Sequence, residues 1–275
     1  MKRGVRLDSG CSRDDNTRTA VTPEQSHMTE PQFIFPDWPA PANVRAVVTT
    51  RVGGASRAPY DSFNLAAHVG DDPAAVRANR AQLRSVLQLP GEPVWLRQVH
   101  GVNLIDAARA PVAPEADGAF AKQPGAVCAV LTADCLPVLL CDGAGTRVAV
   151  LHAGWRGLAA GVIEQGVQAL GVPGHDLLAW LGPAIGPQAF EVGPEVRDAF
   201  MRRDARAADA FRSSNGDRYR ADIYLLARQR LMRLGIETVY GGGFCTVTDH
   251  ARFYSYRRDG ACGRMASLIW LSDGQ

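Results

Sequence analysis

The feature that most constrains this chain is a pair of dense apolar runs, "AVCAVLTADCLPVLLCD" at 126–142 and "TRVAVLHAG" at 146–154, joined by "DGAG". Such runs read as buried strands, and a strand of this kind normally stays apolar for its whole length. The "DGAG" turn between them is a hairpin signal. Asp134 and Cys135 break the first run from within, and His152 closes the second just before the chain turns glycine-rich. These departures from a plain buried sheet have to be explained together.

Around the pair, the chain alternates strand and helix signals. "VRAVVTTR" predicts a strand, and "PAAVRANRAQLRSVLQL" at 73–89 a helix, with acids ahead of it where a helix N-terminus favours them. "EPVWLRQVHGVNLIDAA" reads as two short strands around a turn at His100 and Gly101, and 157–170 as a helix. "LLAWLGPAIG" reads as a strand running into a loop and "GPEVRDAFMRRD" as a helix. "ADIYLLARQRLMRLG" is a further helix, with Ile223, Leu226, Leu231 and Leu234 near one face and Gly235 as its stop. "TVYGGGFCTVTD", "RFYSYRRDG" and "MASLIWLS" predict closing strands and turns. With no internal repeat and no long linker in 275 residues, one mixed α/β domain over 32–275 is expected. Residues 1–31 are polar and aperiodic, which predicts a disordered N-terminal tail. The pattern changes at Met28, suggesting that the true start lies there.

Composition excludes several partners. Lys and Arg number 30 against 28 Asp and Glu, a formal charge of +2 with the signs interleaved, so nucleic acid and anionic membrane are not expected. No stretch approaches the roughly 20 apolar residues of a membrane helix, and the N-terminus lacks the apolar core of a signal peptide. A cytoplasmic location follows as the expectation. Six scattered cysteines without an export signal read as free thiols or metal ligands.

His100, Cys135 and His152 each end a strand-like segment at a turn, where α/β folds collect functional side chains. Two imidazoles and a thiolate make a good zinc set with a fourth position open. Asp134, read as pointing to the opposite side of the strand, is not expected as a fourth ligand. The spacing is no local zinc signature, so packed or hydrogen-bonded roles stay open beside the metal. "HAGWRG" then delivers the chain into a helix whose first turn holds Gly154, Arg156 and Gly157, an arrangement that suits an anion, with a plain glycine turn as the alternative.

The segments "TTRVGGAS", "PYDSFNLAAHVGDDP", "RQVHG", "ADG", "TADCLPVLL", "LHAGWRGL", "LGPAIGPQAFEVG", "GGGFCTVTD", "FYSYRRDG" and "GRMASLIWL" together resemble, in order, the YfiH/laccase-domain family over about residues 33–271. That resemblance implies a single layered α/β/β/α domain like that of certain cysteine hydrolases. It implies one zinc ion per chain on His100, Cys135 and His152, which are also the catalytic residues, with copper as a substitute ion. The implied activity is phosphorolysis of purine nucleosides (adenosine, inosine, guanosine, 5′-methylthioadenosine) together with adenosine deamination, which suits zinc because the ion activates water at neutral pH. Purine nucleoside and phosphate are then the small-molecule partners. Arg51, Arg156 and Arg257 are candidates for the cationic clamp, and Asn64 and Gln98 for sugar or base. Arg264 reads equally as a structural ion pair. The main alternative is a cysteine hydrolase editing peptidoglycan precursors, with Cys135 as nucleophile and His152 as its base. Six histidines are too few for a multicopper oxidase, so any copper-dependent polyphenol oxidation would use copper in the zinc site.

Overall fold

The structure, a computed structural model, describes residues 1 and 30–273. The suggested start at Met28 lies outside the described residues, as does the expected tail apart from Met1, Glu30 and Pro31. A four-stranded sheet runs in the order β1 (Phe33–Ile34), β2 (Val44–Thr49), β13 (Met265–Leu271), β5 (Val127–Thr132). A six-stranded sheet runs β12 (Val239–Gly241), β8 (Leu177–Leu181), β6 (Leu136–Asp142), β7 (Val148–Ala153), β4 (Gly118–Ala121), β3 (Leu104–Asp106). A small third sheet holds β10 (Phe211–Ser213), β11 (Tyr219–Ala221) and β9 (Glu191–Val192). The helices are α1 (Pro73–Leu87), α2 (Trp155–Ala160), α3 (Val162–Leu170), α4 (Pro194–Met201), α5 (Ile223–Arg233) and α6 (Tyr256–Asp259). Among the described residues, no helix is long and apolar enough to cross a membrane.

Period-two alternation sorts these strands into layers. On β6, Leu136, Val138 and Leu140 pack toward helices α3 and α5, while Leu139 and Cys141 face the other sheet. β5 and β13 divide the same way: Cys128, Val130 and Ile269 enter the layer between the sheets, and Ala129, Leu131 and Leu268 pack on the α1 side with Leu83. Both large sheets are thus covered on two faces at their centres, which is why β5, β6, β7 and β13 are buried along their whole length. The result is the expected α/β/β/α stack.

One expectation needs correction at the place that matters most. The run at 126–142 is two strands in different sheets, because β5 pairs with β13 whereas β6 pairs with β7 and β8. Ala133, Asp134 and Cys135 form the corner between the sheets, with Asp134 at φ +90°. Asp134 therefore has no opposite strand face to point to. Its carboxylate accepts from Thr246 Oγ1 at 2.5 Å and from the Arg257 amide at 2.6 Å, which brackets the corner to the C-terminal segment.

Other local differences have local causes. The first strand expected in 92–108 is reduced to isolated bridges at Val94 and Arg97, and only β3 is regular. The helix expected at 157–170 starts earlier, at Trp155, and breaks at Gly161, whose φ of +111° leaves the helical region. "RFYSYRRDG" contains the short helix α6, capped by the Ser255 side chain on the Arg258 amide. α1 follows its signals closely, with the Asp72 side chain accepting from Ala74 N and a proline in its first turn.

Candidate metal and active site

Four chain segments meet at one end of the interlayer. The corner supplies Cys135; β7 supplies His152 just before its last residue; the loop before β3 supplies His100; Asp117 immediately precedes β4. The donor atoms of His100, Cys135 and His152 all lie within 4.8 Å of one another. Cys135 Sγ sits 3.8 Å from His100 Nε2, and the two imidazole rings meet edge-on with centroids 4.8 Å apart. His100 is exposed, Cys135 half-buried and His152 buried, so the set opens toward solvent at His100.

Asp117 organises this set from behind. Fully buried, it accepts from the backbone amides of Val99, His100 and Gly101 at 3.2, 2.8 and 2.6 Å, and from His152 Nδ1 at 2.8 Å. One carboxylate thereby fixes both the loop that carries His100, where φ is +61°, and the ring of His152. With Nδ1 engaged, His152 has Nε2 left to bind, the arrangement by which carboxylates orient metal-binding histidines. Gln98 pins the same loop to β5, its amide donating to Leu131 O and accepting from Leu131 N at 2.8 Å each. Gly154 completes the closure: a Cβ there would lie 2.8 Å from His100 Cδ2 and 3.1 Å from Cys135 Sγ.

The electrostatics follow from this packing. Burial alone would push the Cys135 thiol up, but the His152 charge and hydrogen bonds from both imidazoles outweigh it and bring the thiol below its usual range. Burial likewise acts against a charged His152, yet the Cys135 thiolate and Asp117 hold it protonated above the usual imidazole range. Without a metal the packing thus favours the charged form of each partner through the other. Cys128 and Cys141, buried in the interlayer, are pushed the other way, Cys141 to about 12.

Two cavities flank Cys135 and share Ala133, Cys135 and Tyr256 as a common wall. One, of about 190 Å³, is walled by Trp155, Ile185, Phe190 and Ile223, with Asp134 and Arg257 at its edge. The other, of about 270 Å³, is bordered by His68, Gln98, His100, Thr132, His152 and Arg264. Gln98 and Arg257 are thus brought to the site. Arg51, Asn64 and Arg156 border neither cavity. Arg51 pairs with Asp61 at 3.0 Å and lies over the Tyr254 ring; Asn64 is fully buried, bonded to Ala66 and Asp71; Arg156 is exposed, its guanidinium 4.4 Å over Trp155. Sequence reasoning gave no role to Asp117, His68 or Tyr256. An acid directly before a strand, in "ADG", is the signal that carried Asp117 unassigned.

A family model described as multi-copper polyphenol oxidoreductase laccase matches residues 45–272. The chain belongs to the YfiH/laccase-domain family. Relatives of this laccase-domain chain include a purine nucleoside phosphorylase of Pseudomonas aeruginosa, 60% identical over 88% of this chain and 99% of the relative. The purine nucleoside phosphorylase YfiH of Escherichia coli is 55% identical over 87% of this chain and 99% of its own length. A solved structure from Neisseria meningitidis superimposes with a TM-score of 0.85 at 51% identity, covering 88% of this chain and 99% of that one. Among the described residues of this laccase-domain chain, the His100, Cys135 and His152 set is the one converging group of three or more potential ligands. Chemistry spread over several copper centres has no second donor set there.

Proposed function

We propose that this protein is a zinc-dependent purine nucleoside phosphorylase that also deaminates adenosine. The observation that best supports the reading is a His₂Cys set, open on one side, in a chain that is 60% identical over 88% of its length to a purine nucleoside phosphorylase. The residues fit the ion: two imidazoles and a low-range thiol, with a buried carboxylate orienting one imidazole, are zinc ligands of the expected type. Copper(II) is favoured by the same donors and occupies the same place when supplied. A bound zinc ion supplies Lewis acidity and activates water at neutral pH, the chemistry that adenosine deamination needs.

In phosphorolysis a phosphate oxygen bonds to C1′ of the sugar as the C1′–N9 bond breaks. The bonding electrons leave with the purine, which takes up the proton that hydrogen phosphate gives up. The chain's part is to position the reactants and exclude water, with Asp117 holding the proton on His152 Nδ1. Gln98 and Arg257 border the cavities and are assigned to substrate contact there; inosine, guanosine, adenosine and 5′-methylthioadenosine are the substrates. The free thiols of the chain suit a reducing compartment, and we place the activity in the cytoplasm.

The test is inosine turnover with and without phosphate. Hypoxanthine and ribose 1-phosphate should form only when phosphate is present, and base release at the same rate in phosphate-free buffer would refute the reading. The closeness of the lowered Cys135 thiol to His152 favours one second reading, an amidase in which Cys135 is the nucleophile and His152 the base that takes the thiol proton. That enzyme would survive chelator and die with iodoacetamide, whereas the phosphorylase dies with chelator.

A further inference from the structure

The two cavities beside Cys135 differ in kind. In the smaller one the walls are aromatic and aliphatic, and both charged groups at its edge are already engaged. Asp134 accepts from Thr246 and the Arg257 amide, and Arg257 Nη1 donates to Glu191 O at 2.9 Å. The larger cavity has no carboxylate on its wall. Its ionisable groups are His68, His100, His152, Cys135 and Arg264.

Arg264 is the cation of that wall. Its Nη1 donates to Cys262 O and Gly263 O at 2.7 and 2.9 Å, which fixes the guanidinium, and no described carboxylate forms a salt bridge with it. The structural ion pair open to it in the sequence is therefore not among the described contacts. The guanidinium lies 5.8 Å from the centroid of Tyr256, the ring shared by both cavities. His68 lies within its field: burial first and the Arg264 charge second hold that imidazole below its usual range beside a fixed cation. Cys135 is the one anionic-leaning group on that wall and has His100 and His152 beside it, which leaves Arg264 as a half-buried cation with no described carboxylate partner. Such a cation attracts anions, and a planar guanidinium matches phosphate oxygens in pairs.

We infer that the cavity of Arg264 and His68 binds the phosphate, that the cavity of Trp155 and Phe190 binds the purine base, and that the sugar spans the Cys135–Tyr256 wall between them. This rests on the phosphorylase reading. Displacement at C1′ requires the incoming oxygen and the departing nitrogen on opposite sides of one carbon. Two separate cavities that meet at Ala133, Cys135 and Tyr256 offer a distinct place for each of the two groups, with the sugar at their junction. The chemistry of each wall then decides which is which, since a flat heterocycle stacks on aromatic and aliphatic groups and a dianion does not. Arg156, over Trp155 and bordering neither cavity, is left outside the phosphate subsite.

The experiment measures KM for phosphate and for inosine in the zinc-loaded wild type, Arg264→Gln, Arg264→Lys, His68→Asn and Phe190→Ala. Calorimetric titration with inorganic phosphate alone runs alongside. Arg264→Gln should raise the phosphate KM about ten- to a hundredfold, the range for a lost charge-assisted hydrogen bond, and weaken calorimetric phosphate binding in parallel. Arg264→Lys should recover part of that loss, and His68→Asn should shift the phosphate KM in the same direction by less. Phe190→Ala should raise the inosine KM instead. If Arg264→Gln fails to fold, as its thermal midpoint would report, Arg264→Lys and His68→Asn decide the matter alone. Phosphate KM and phosphate binding unchanged in the folded variants, with turnover intact, would overturn the subsite and leave the phosphorylase standing. A wild type that turns over no nucleoside, yet binds phosphate in a manner dependent on Arg264, would overturn the phosphorylase reading and leave the anion subsite.

Discussion

Asp117 touches neither cavity, yet three backbone amides and one imidazole hang from its two oxygens. Replacing it by asparagine keeps the shape and removes the charge, and loss of such an orienting carboxylate costs about 10- to 100-fold in metal affinity. Competition with a chromogenic chelator should read that loss in Asp117→Asn at unchanged metal stoichiometry. The same residue has a pH signature. Burial acts to raise its carboxyl, but hydrogen bonds from His152, Gly101 and Val99 outweigh burial and hold it below the usual range. A group whose folded value lies below its unfolded value contributes stability above the unfolded value, about pH 4, and that contribution disappears as pH falls through the lower folded value. Cys135 gives a second reading at residue scale. In metal-stripped protein, iodoacetamide should label Cys135 at pH values where an ordinary thiol is still protonated. Cys128 and Cys141 should stay silent, and added zinc should protect Cys135; peptide mass mapping separates them from Cys245, whose thiol is also lowered.

At the scale of elements, the sequence disclosed the hairpin of β6 and β7, helices α1, α4 and α5, and the placing of His100 and Cys135 outside regular strands, while His152 lies one residue inside the end of β7. Each of these rests on neighbours a few positions apart. The corner at Ala133–Cys135 was not legible, because an apolar run says that a strand is buried and not which sheet it joins. Asp117 was hidden for a related reason: its partners lie 16 to 18 positions upstream and 35 downstream, and backbone amides have no letter in a sequence. Gly154, the residue that caps α2, offers a test at this scale. Its φ of −60° accommodates alanine, so the backbone has no objection. The added methyl would press on His100 and Cys135 from 2.8 and 3.1 Å. Gly154→Ala should therefore keep its circular dichroism spectrum while losing most bound zinc by elemental analysis.

For the whole molecule, the layered stack was available from family resemblance and not from the pattern of residues, since sheet membership depends on pairings such as β13 with β2, more than two hundred positions apart. The interlayer is where the stack is held: Leu139, Val150 and Ile269 are fully buried there. Leu139→Ala should destabilise by about 2–5 kcal/mol, the range for a buried leucine truncated in place, as measured by urea unfolding of the metal-free protein. The corner between the sheets gives that substitution a second effect. Cys135 and His152 both belong to the six-stranded sheet, one residue before β6 and on β7 opposite Pro137, but Gln98 ties the loop of His100 to β5 of the other sheet. The span from His100 to that pair is therefore a caliper closed on the gap between the layers. Loosening the layer far from the site opens the caliper, and the rate at which zinc escapes to a chelator becomes a gauge of how firmly two sheets are pressed together.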